Sequence, residues 1–177
     1  MTGVSVIIPN FNHAPYLRER IASVLAQTVQ PAEIILLDDA SSDKSAAILE
    51  EYRNHPLVSH FIINEQNSGS PFKQWEKGLQ LARHNWIWIA ESDDTAEPLF
   101  LENAIAQLTA QPGAGLYFCN AIVETEDGLQ TTAEICKQRY NSAKWEQSFS
   151  QPGRELIDAD LQFHPVILNA SAVVFNK

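Results

Sequence analysis

Apolar residues along the chain alternate between a strand period and a helix period. Val4, Val6, Ile7 and Ile8 form a β-branched run ending at Pro9, a buried strand entering a loop. Pro15 then opens a helix, because a proline at the first helical position has no N–H partner to lose. Leu17, Ile21, Val24, Leu25 and Thr28 follow on one face of a period of about 3.6 residues. The unit recurs. Residues 34–37 form a second strand that runs into Asp38-Asp39-Ala40-Ser41-Ser42-Asp43. There Ser42 is placed to cap a helix that carries Asp43 in its first turn and packs Ile48, Leu49 and Tyr52. Residues 57–63 give a third strand and 64–69 a turn. Ser70 then caps and Pro71 opens a helix with the face Phe72, Trp75, Leu79 and Ala82. A fourth strand, 86–90, ends in Glu91-Ser92-Asp93-Asp94. Pro98 starts a helix with Leu101, Ile105 and Leu108 that Pro112-Gly113 stops, and a fifth strand spans 116–123.

Strand and helix alternating with short joins predict an α/β fold, a mainly parallel sheet with helices on both faces. After Val123 the pattern loosens. Residues 124–150 are polar and poorly periodic, and read as a loop-rich excursion with a hairpin about Asp127-Gly128. A short helix near 155–161 and a strand near 172–175 follow. The chain is thereby divided into 1–123 and 124–177, two parts of one domain.

Composition narrows the choices. A chain of 177 residues, 45% hydrophobic and 19% charged, can bury a sizeable core and is neither disordered nor fibrous. Twelve Lys and Arg against 22 Asp and Glu leave −10, the wrong sign for a protein that neutralises nucleic-acid phosphates. Such a chain needs a metal cation or local backbone donors to hold a phosphorylated ligand. Cys119 and Cys136 are too few for a disulfide framework or zinc site, and Cys119 reads as a small buried thiol. The N-terminus lacks a basic region, and no run approaches the ~20 apolar residues of a membrane span, so a cytoplasmic chain is expected. His13, His55, His60, His84 and His164 are scattered, with no metal-binding i, i+4 pair. Trp75, Trp86 and Trp88 fall at core spacing; Trp145 is either buried or a face for an acceptor sugar.

In an open α/β sheet, ligands sit beyond the carboxyl ends of the strands. Three polar segments lie there: Pro9-Asn10-Phe11-Asn12, residues 38–43 and residues 91–94. No G-x-x-x-x-G-K-[ST] is present, and Gly113-Ala114-Gly115 precedes a strand, which speaks against P-loop and dinucleotide folds. Carboxylates on a loop after a strand are hard ligands suited to Mg²⁺ or Mn²⁺, which in turn bridge phosphate oxygens. A receiver-type signalling domain would need its acidic pair after the first strand. A sugar-phosphate nucleotidyltransferase would need a glycine- and basic-rich loop there. This chain has Pro9-Asn10-Phe11-Asn12 instead.

Ser5-Val6-Ile7-Ile8-Pro9-Asn10-Phe11-Asn12 resembles the opening strand of the family-two glycosyltransferases, which have the Rossmann-like GT-A nucleotide-diphospho-sugar transferase fold. Ser23-Val24-Leu25-Ala26-Gln27-Thr28, residues 33–43, Asn67-Ser68-Gly69-Ser70 and residues 86–94 are similar to that family's succeeding segments, so that the resemblance covers roughly 3–120. It implies metal-dependent transfer of a sugar from a nucleotide diphosphate donor, a UDP-sugar first of all, to a saccharide or lipid-linked saccharide acceptor, with inversion. The setting it implies is bacterial polysaccharide biosynthesis, compatible with peripheral attachment at the inner membrane face, which no segment demands.

By the same resemblance Asp39 accepts the imide N–H of a uracil-like base near the Pro9 backbone, and Phe11 stacks on that base. Asp93 holds the ribose or shares the metal site, and Asp94 binds Mn²⁺ or Mg²⁺ at the diphosphate. Asp38 supports the turn. Lys73 is a contact to base or phosphates or, equally, a solvated lysine. Glu91 stands where the family has Asp and is left out of the metal shell. The family's general base follows the strand placed here at 172–175, so the resemblance implies a chain truncated at its C-terminus. The catalytic residue stays unassigned, with Glu155, Asp158 and Asp160 as weak candidates. The alternative is a fragment that binds nucleotide-sugar without turnover.

Overall fold

The computed structural model describes residues 3–126, 128–140 and 143–177. Its elements are β1 (Val4–Asn10), α1 (Ala14–Leu25), β2 (Glu33–Asp38), α2 (Ser45–Glu50), β3 (Val58–Ile63), α3 (Pro71–Leu81) and β4 (Trp86–Ile89). Then come α4 (Phe100–Ala110), β5 (Leu116–Phe118), β6 (Ile122–Thr125), β7 (Gly128–Thr131), α5 (Thr132–Tyr140), the short α6 (Gly153–Leu156) and β8 (Val173–Asn176). Met1–Tyr117 with Val173–Lys177 form one compact unit, and Phe118–Ala172 a second.

The sheet runs β3-β2-β1-β4-β8-β5. β1 pairs in parallel with both β2 and β4, and β2 with β3, as the βα alternation predicts. The last strand is antiparallel, with Trp88 opposite Val174. Ile7, Ile8, Leu36, Leu37, Ile87 and Trp88 are fully buried, the continuous apolar reading of strands covered on both faces. α3 lies so close to β1 that a Cβ on Gly78 would stand 2.5 Å from Ile7 Cγ2. Its buried face is Gln74 and Gly78, with Trp75 and Leu79 packed beside Ile7. Phe72, expected on that face, is 66% exposed.

The strand order reverses at β1: the chain leaves it toward β2, and later returns through α3 to β4 on its other side. A reversal opens a crevice beyond the carboxyl ends of the two flanking strands. The pair Asn10↔Asp38 brings the ends of β1 and β2 level, while β4 ends at Ile89 opposite Ile7, three residues short of the end of β1, so the crevice deepens on that side. At the opposite end of the sheet, Glu33 is buried at the start of β2. It accepts from Ser5 Oγ at 2.7 Å, the Arg83 amide at 2.7 Å and Arg83 Nε at 2.9 Å. Burial opposes its charge, but hydrogen bonds from Ser5, Ser59 and Arg83 prevail and hold the carboxyl down to about 2.

The predicted fifth strand, 116–123, is shorter than expected. Asn120 turns the chain: its Oδ1 accepts from Thr132 Oγ1 at 2.5 Å and from the Ala133 amide at 2.8 Å, at the start of α5. Ile122–Thr125 then pairs with Gly128–Thr131 as an antiparallel hairpin, close to the one expected at Asp127-Gly128, of which Asp127 lies outside the described residues. Residues 124–150 are accordingly more regular than a loop-rich excursion. α5 opens with Thr131 and Glu134 bonding each other's amides, a capping box legible as T-x-x-E. Cys136, Trp145, Leu156 and Val166 form this unit's core, which settles Trp145 as buried. Cys136 is the buried thiol, while Cys119 is half-buried. Among the described residues no helix is long and apolar enough to cross a membrane.

Candidate functional site

The rim of the crevice is built from loops that lock each other. Asp38, fully buried, accepts from Asn10 Nδ2 at 2.7 Å, from Ser41 Oγ at 2.6 Å and from the Ser41 amide at 2.9 Å, the turn-supporting role expected of it. This holds the loop after β2 against the end of β1 and forces Ala40 to φ 60°, a left-handed conformation costly for a residue with a Cβ. Asn12, at φ 57°, receives the Ser42 amide on Oδ1 at 2.8 Å. No side chain at the N-cap position of α2 caps it, and the bond expected of Ser42 comes instead from Asp43, one residue ahead of that position. The Asp43 carboxylate accepts the Ser45 amide at the start of α2 and the Ala14 amide at the start of α1, each at 2.9 Å. At α3, Ser70 makes no side-chain cap bond, and Pro71 alone supplies the predicted start.

Asp39 is 3% exposed. Its carboxylate accepts from Asn64 Nδ2 at 2.7 Å, Gln74 Nε2 at 2.8 Å, Ser68 Oγ at 2.7 Å and the Ser68 amide at 3.0 Å. These donors take up the roughly four lone-pair directions a carboxylate has. Asp39 therefore anchors the 64–68 segment and the first turns of α3, and a direct bond to a base requires one of these donors to leave. Because a carboxylate only accepts, it also fixes the Gln74 amide with Nε2 inward, leaving Oε1 buried and without a partner. Asn10 Oδ1 is likewise unpartnered, since Nδ2 faces Asp38. Lys73 donates to the Ser68 carbonyl at 2.8 Å.

A cavity of about 360 Å³ lies here. Pro9, Phe11, Asp39, Gln74, Glu91 and Ser92 are among its walls, so three of the predicted donor-nucleotide residues meet around one space. Phe11, 45% exposed, offers a ring face. His13 also lines it and, set aside as a scattered histidine, bonds Ser92 Oγ through Nδ1 at 2.8 Å. Asp93 and Asp94 continue the loop beyond the lining.

That loop has an unforeseen support. Arg20, on α1, has no exposed surface; its Nε donates to the Glu91 carbonyl at 2.7 Å, and Nη2 lies 3.9 Å from Asp94 Oδ2. Its guanidinium carbon stands 5.7 Å from the Trp88 ring centroid. Neither terminal nitrogen has a hydrogen-bond partner. Burial lowers the Arg20 pKa to about 10, against the pull of Asp94, Asp93 and Glu91. Glu91, whose Oε1 accepts Trp75 Nε1 at 2.6 Å, has its carboxyl raised by burial foremost and by Asp93 and Asp94. The periodicity could have exposed Arg20: it stands three residues after Leu17 and four before Val24, on the buried face of α1.

The donor set fits a divalent cation in part. Asp93 and Asp94 present hard carboxylate oxygens, and Asp94 is 32% exposed at its side chain. Glu91 is committed to Trp75. Among the described residues no three-ligand cage is formed, so phosphate oxygens and water would complete a Mg²⁺-like shell.

The weak base candidates fall in the second unit. Asp158 pairs with Arg154 at 2.8 Å and Asp160 with Lys144 at 2.6 Å, while Glu155 is exposed.

Known proteins are similar to this chain in sequence and fold. Glycosyltransferase GlyG of Streptococcus pneumoniae is 32% identical over 105 residues, 59% of this chain and 35% of that one. The GalNAc(5)-diNAcBac-PP-undecaprenol beta-1,3-glucosyltransferase of Campylobacter jejuni is 27% identical over 160 residues, 84% of this chain and 50% of that one. The structure of Staphylococcus aureus TarS 1-349 in complex with UDP-GlcNAc superimposes with a TM-score of 0.59 at 29% identity, over 64% of this chain and 33% of that one. The chain thus spans about a third to a half of the length of such proteins. Residues 5–154 match the family described as Glycosyl transferase family 2. With the strand order, the crevice at its reversal and the acidic loop beside it, this match makes the chain a member of glycosyl transferase family 2, with the GT-A fold.

Proposed function

We propose that this chain binds a nucleotide-diphospho-sugar, a UDP-sugar first of all, and serves transfer of that sugar to a saccharide or lipid-linked saccharide acceptor with inversion. The observation that carries the reading is the cavity at the reversal of strand order, walled by Pro9 and Phe11 and continued by the acidic loop. TarS, solved with UDP-GlcNAc, and the Campylobacter enzyme, named for an undecaprenol-linked acceptor, supply the chemical classes. Phe11 stacks on the base beside Pro9, and Asp39 backs that pocket by orienting Gln74 and the 64–68 segment. Asp93 meets the ribose or shares the cation site, and Asp94 holds Mn²⁺ or Mg²⁺. The cation, when bound, offsets the charge of the diphosphate and of the departing nucleotide. Residues 1–123 are the donor half in this reading and 124–177 part of the acceptor side.

Calorimetric titration of UDP, with ADP as control, tests it. UDP is expected to bind in preference to ADP and to bind more tightly with Mn²⁺ than after chelation. Equal UDP affinity with and without the cation removes the metal from the reading; absence of UDP binding overturns it.

A further inference from the structure

A guanidinium taken wholly out of water is costly unless its charge and its N–H groups are matched. Arg20 is such a group, fully buried, with only its Nε–H given to an acceptor. What keeps it in place is charge: the 91–94 loop wraps over it, and Asp94 approaches at 3.9 Å, too far for a good hydrogen bond. The indole of Trp88, also fully buried, faces it on the sheet side. The acidic loop therefore already has a fixed cation against it, supplied from α1.

We propose that Arg20 is the internal counter-charge of the acidic loop: it holds the loop ready while opposing capture of a free divalent cation, so that the cation binds together with the nucleoside diphosphate. This role of Arg20 rests on the cation reading given above. A divalent ion entering at Asp94 meets the attraction of the carboxylates and the repulsion of a guanidinium a few ångströms behind them. In a partly buried site that repulsion is not screened away. A nucleoside diphosphate brings further negative charge and phosphate oxygens, which tip the balance. Arg20 is thus a positioning residue and touches no reacting atom.

The test is Mn²⁺ binding to the whole chain, followed by electron paramagnetic resonance, with and without UDP. For the parent protein, Mn²⁺ alone is expected to bind at least about tenfold more weakly than Mn²⁺ with UDP. Arg20→Met, similar in length and uncharged, is expected to bind Mn²⁺ alone about tenfold more tightly than the parent and to lose most of the help from UDP. Arg20→Lys, which keeps the charge but not the fork, is expected to stay within about threefold of the parent. A purely structural role predicts the reverse: weaker Mn²⁺ binding in Arg20→Met, with faster amide exchange at residues 91–94. That result, or unchanged binding, overturns the proposal. Should Arg20→Met not fold, the parent decides, because equal Mn²⁺ affinity with and without UDP is incompatible with an internal counter-charge that only the diphosphate outweighs. If UDP binds the parent but Mn²⁺ never does, the cation reading fails and this one with it. If Mn²⁺ and UDP bind together but Arg20→Met leaves Mn²⁺ binding unaltered, only this one fails.

Discussion

The two ends of the central sheet bury charge in opposite ways. At the amino end, Glu33 sits in a shell of donors from Ser5 and Arg83 that answers its charge. At the carboxyl end, Arg20 is buried with neither terminal nitrogen hydrogen-bonded, Asn10 and Gln74 each keep a carbonyl without a hydrogen bond, and Ala40 holds a left-handed backbone. A buried polar group without its partner lowers stability, typically by about 1–3 kcal/mol. Glu33 therefore reads as architecture, and the carboxyl end as a place where the fold gives up stability to hold groups ready. Asp39 lies between these cases: it stands at the site, yet it is as fully satisfied as Glu33.

The largest expected effect is on stability at the amino end. Glu33→Leu orphans the Ser5 hydroxyl and the Arg83 amide and is expected to cost about 2–4 kcal/mol, read from the urea midpoint, with UDP affinity unchanged in the folded protein. The same carboxylate gives a pH signature. Its folded pKa is depressed to about 2, so its contribution is present above the unfolded value and is lost as pH falls through about 2. The urea midpoints of the parent and Glu33→Gln should converge over that acid range. A constant gap down to pH 2 would show that Glu33 is not held in its charged form.

Next comes Asp94→Asn at the carboxyl end. Loss of a charged contact is expected to weaken Mn²⁺-dependent UDP binding by roughly tenfold to 150-fold. Stability should also fall, by about 1–2 kcal/mol, because the buried Arg20 guanidinium loses the carboxylate that stands 3.9 Å from it. Asp39→Ala is likewise expected to do both things at once. A carboxylate standing free on a loop would affect the base alone, but this one is buried among Asn64, Ser68 and Gln74. Its removal should cost about 1–3 kcal/mol of stability as well as weaken UDP binding. Weakened binding with an unshifted midpoint would show that Asp39 belongs wholly to the ligand.

The smallest effect is at Ala40. Glycine tolerates φ 60° without steric cost, so Ala40→Gly is expected to stabilise the fold by about 0.5–1 kcal/mol after the greater freedom of the unfolded chain is counted. A destabilised variant would mean that the Ala40 methyl makes contacts worth more than the strain it imposes.

Local pattern by itself determined the βα order, the parallel core and the three polar segments at strand ends. These follow from short-range causes: β-branched runs, prolines at helix starts and a helical period that leaves Leu17, Ile21 and Val24 on one side. It also determined the family resemblance, because Ser5–Asn12 and residues 86–94 carry it in consecutive positions. Tertiary structure alone decided which polar residue serves which purpose. Gln27 and Gln74 read as surface residues and Arg20 as a charge interrupting an apolar helix face, yet all three are buried because a partner distant in sequence draws them in. Gln27 binds the Glu97 carbonyl and the Leu101 amide, Arg20 the Glu91 carbonyl, and Gln74 the Asp39 carboxylate. The antiparallel β8, inserted between β4 and β5, was equally a matter of long-range pairing. A residue's own neighbours in sequence set its backbone, but the meaning of a buried charge is set by what folding places against it.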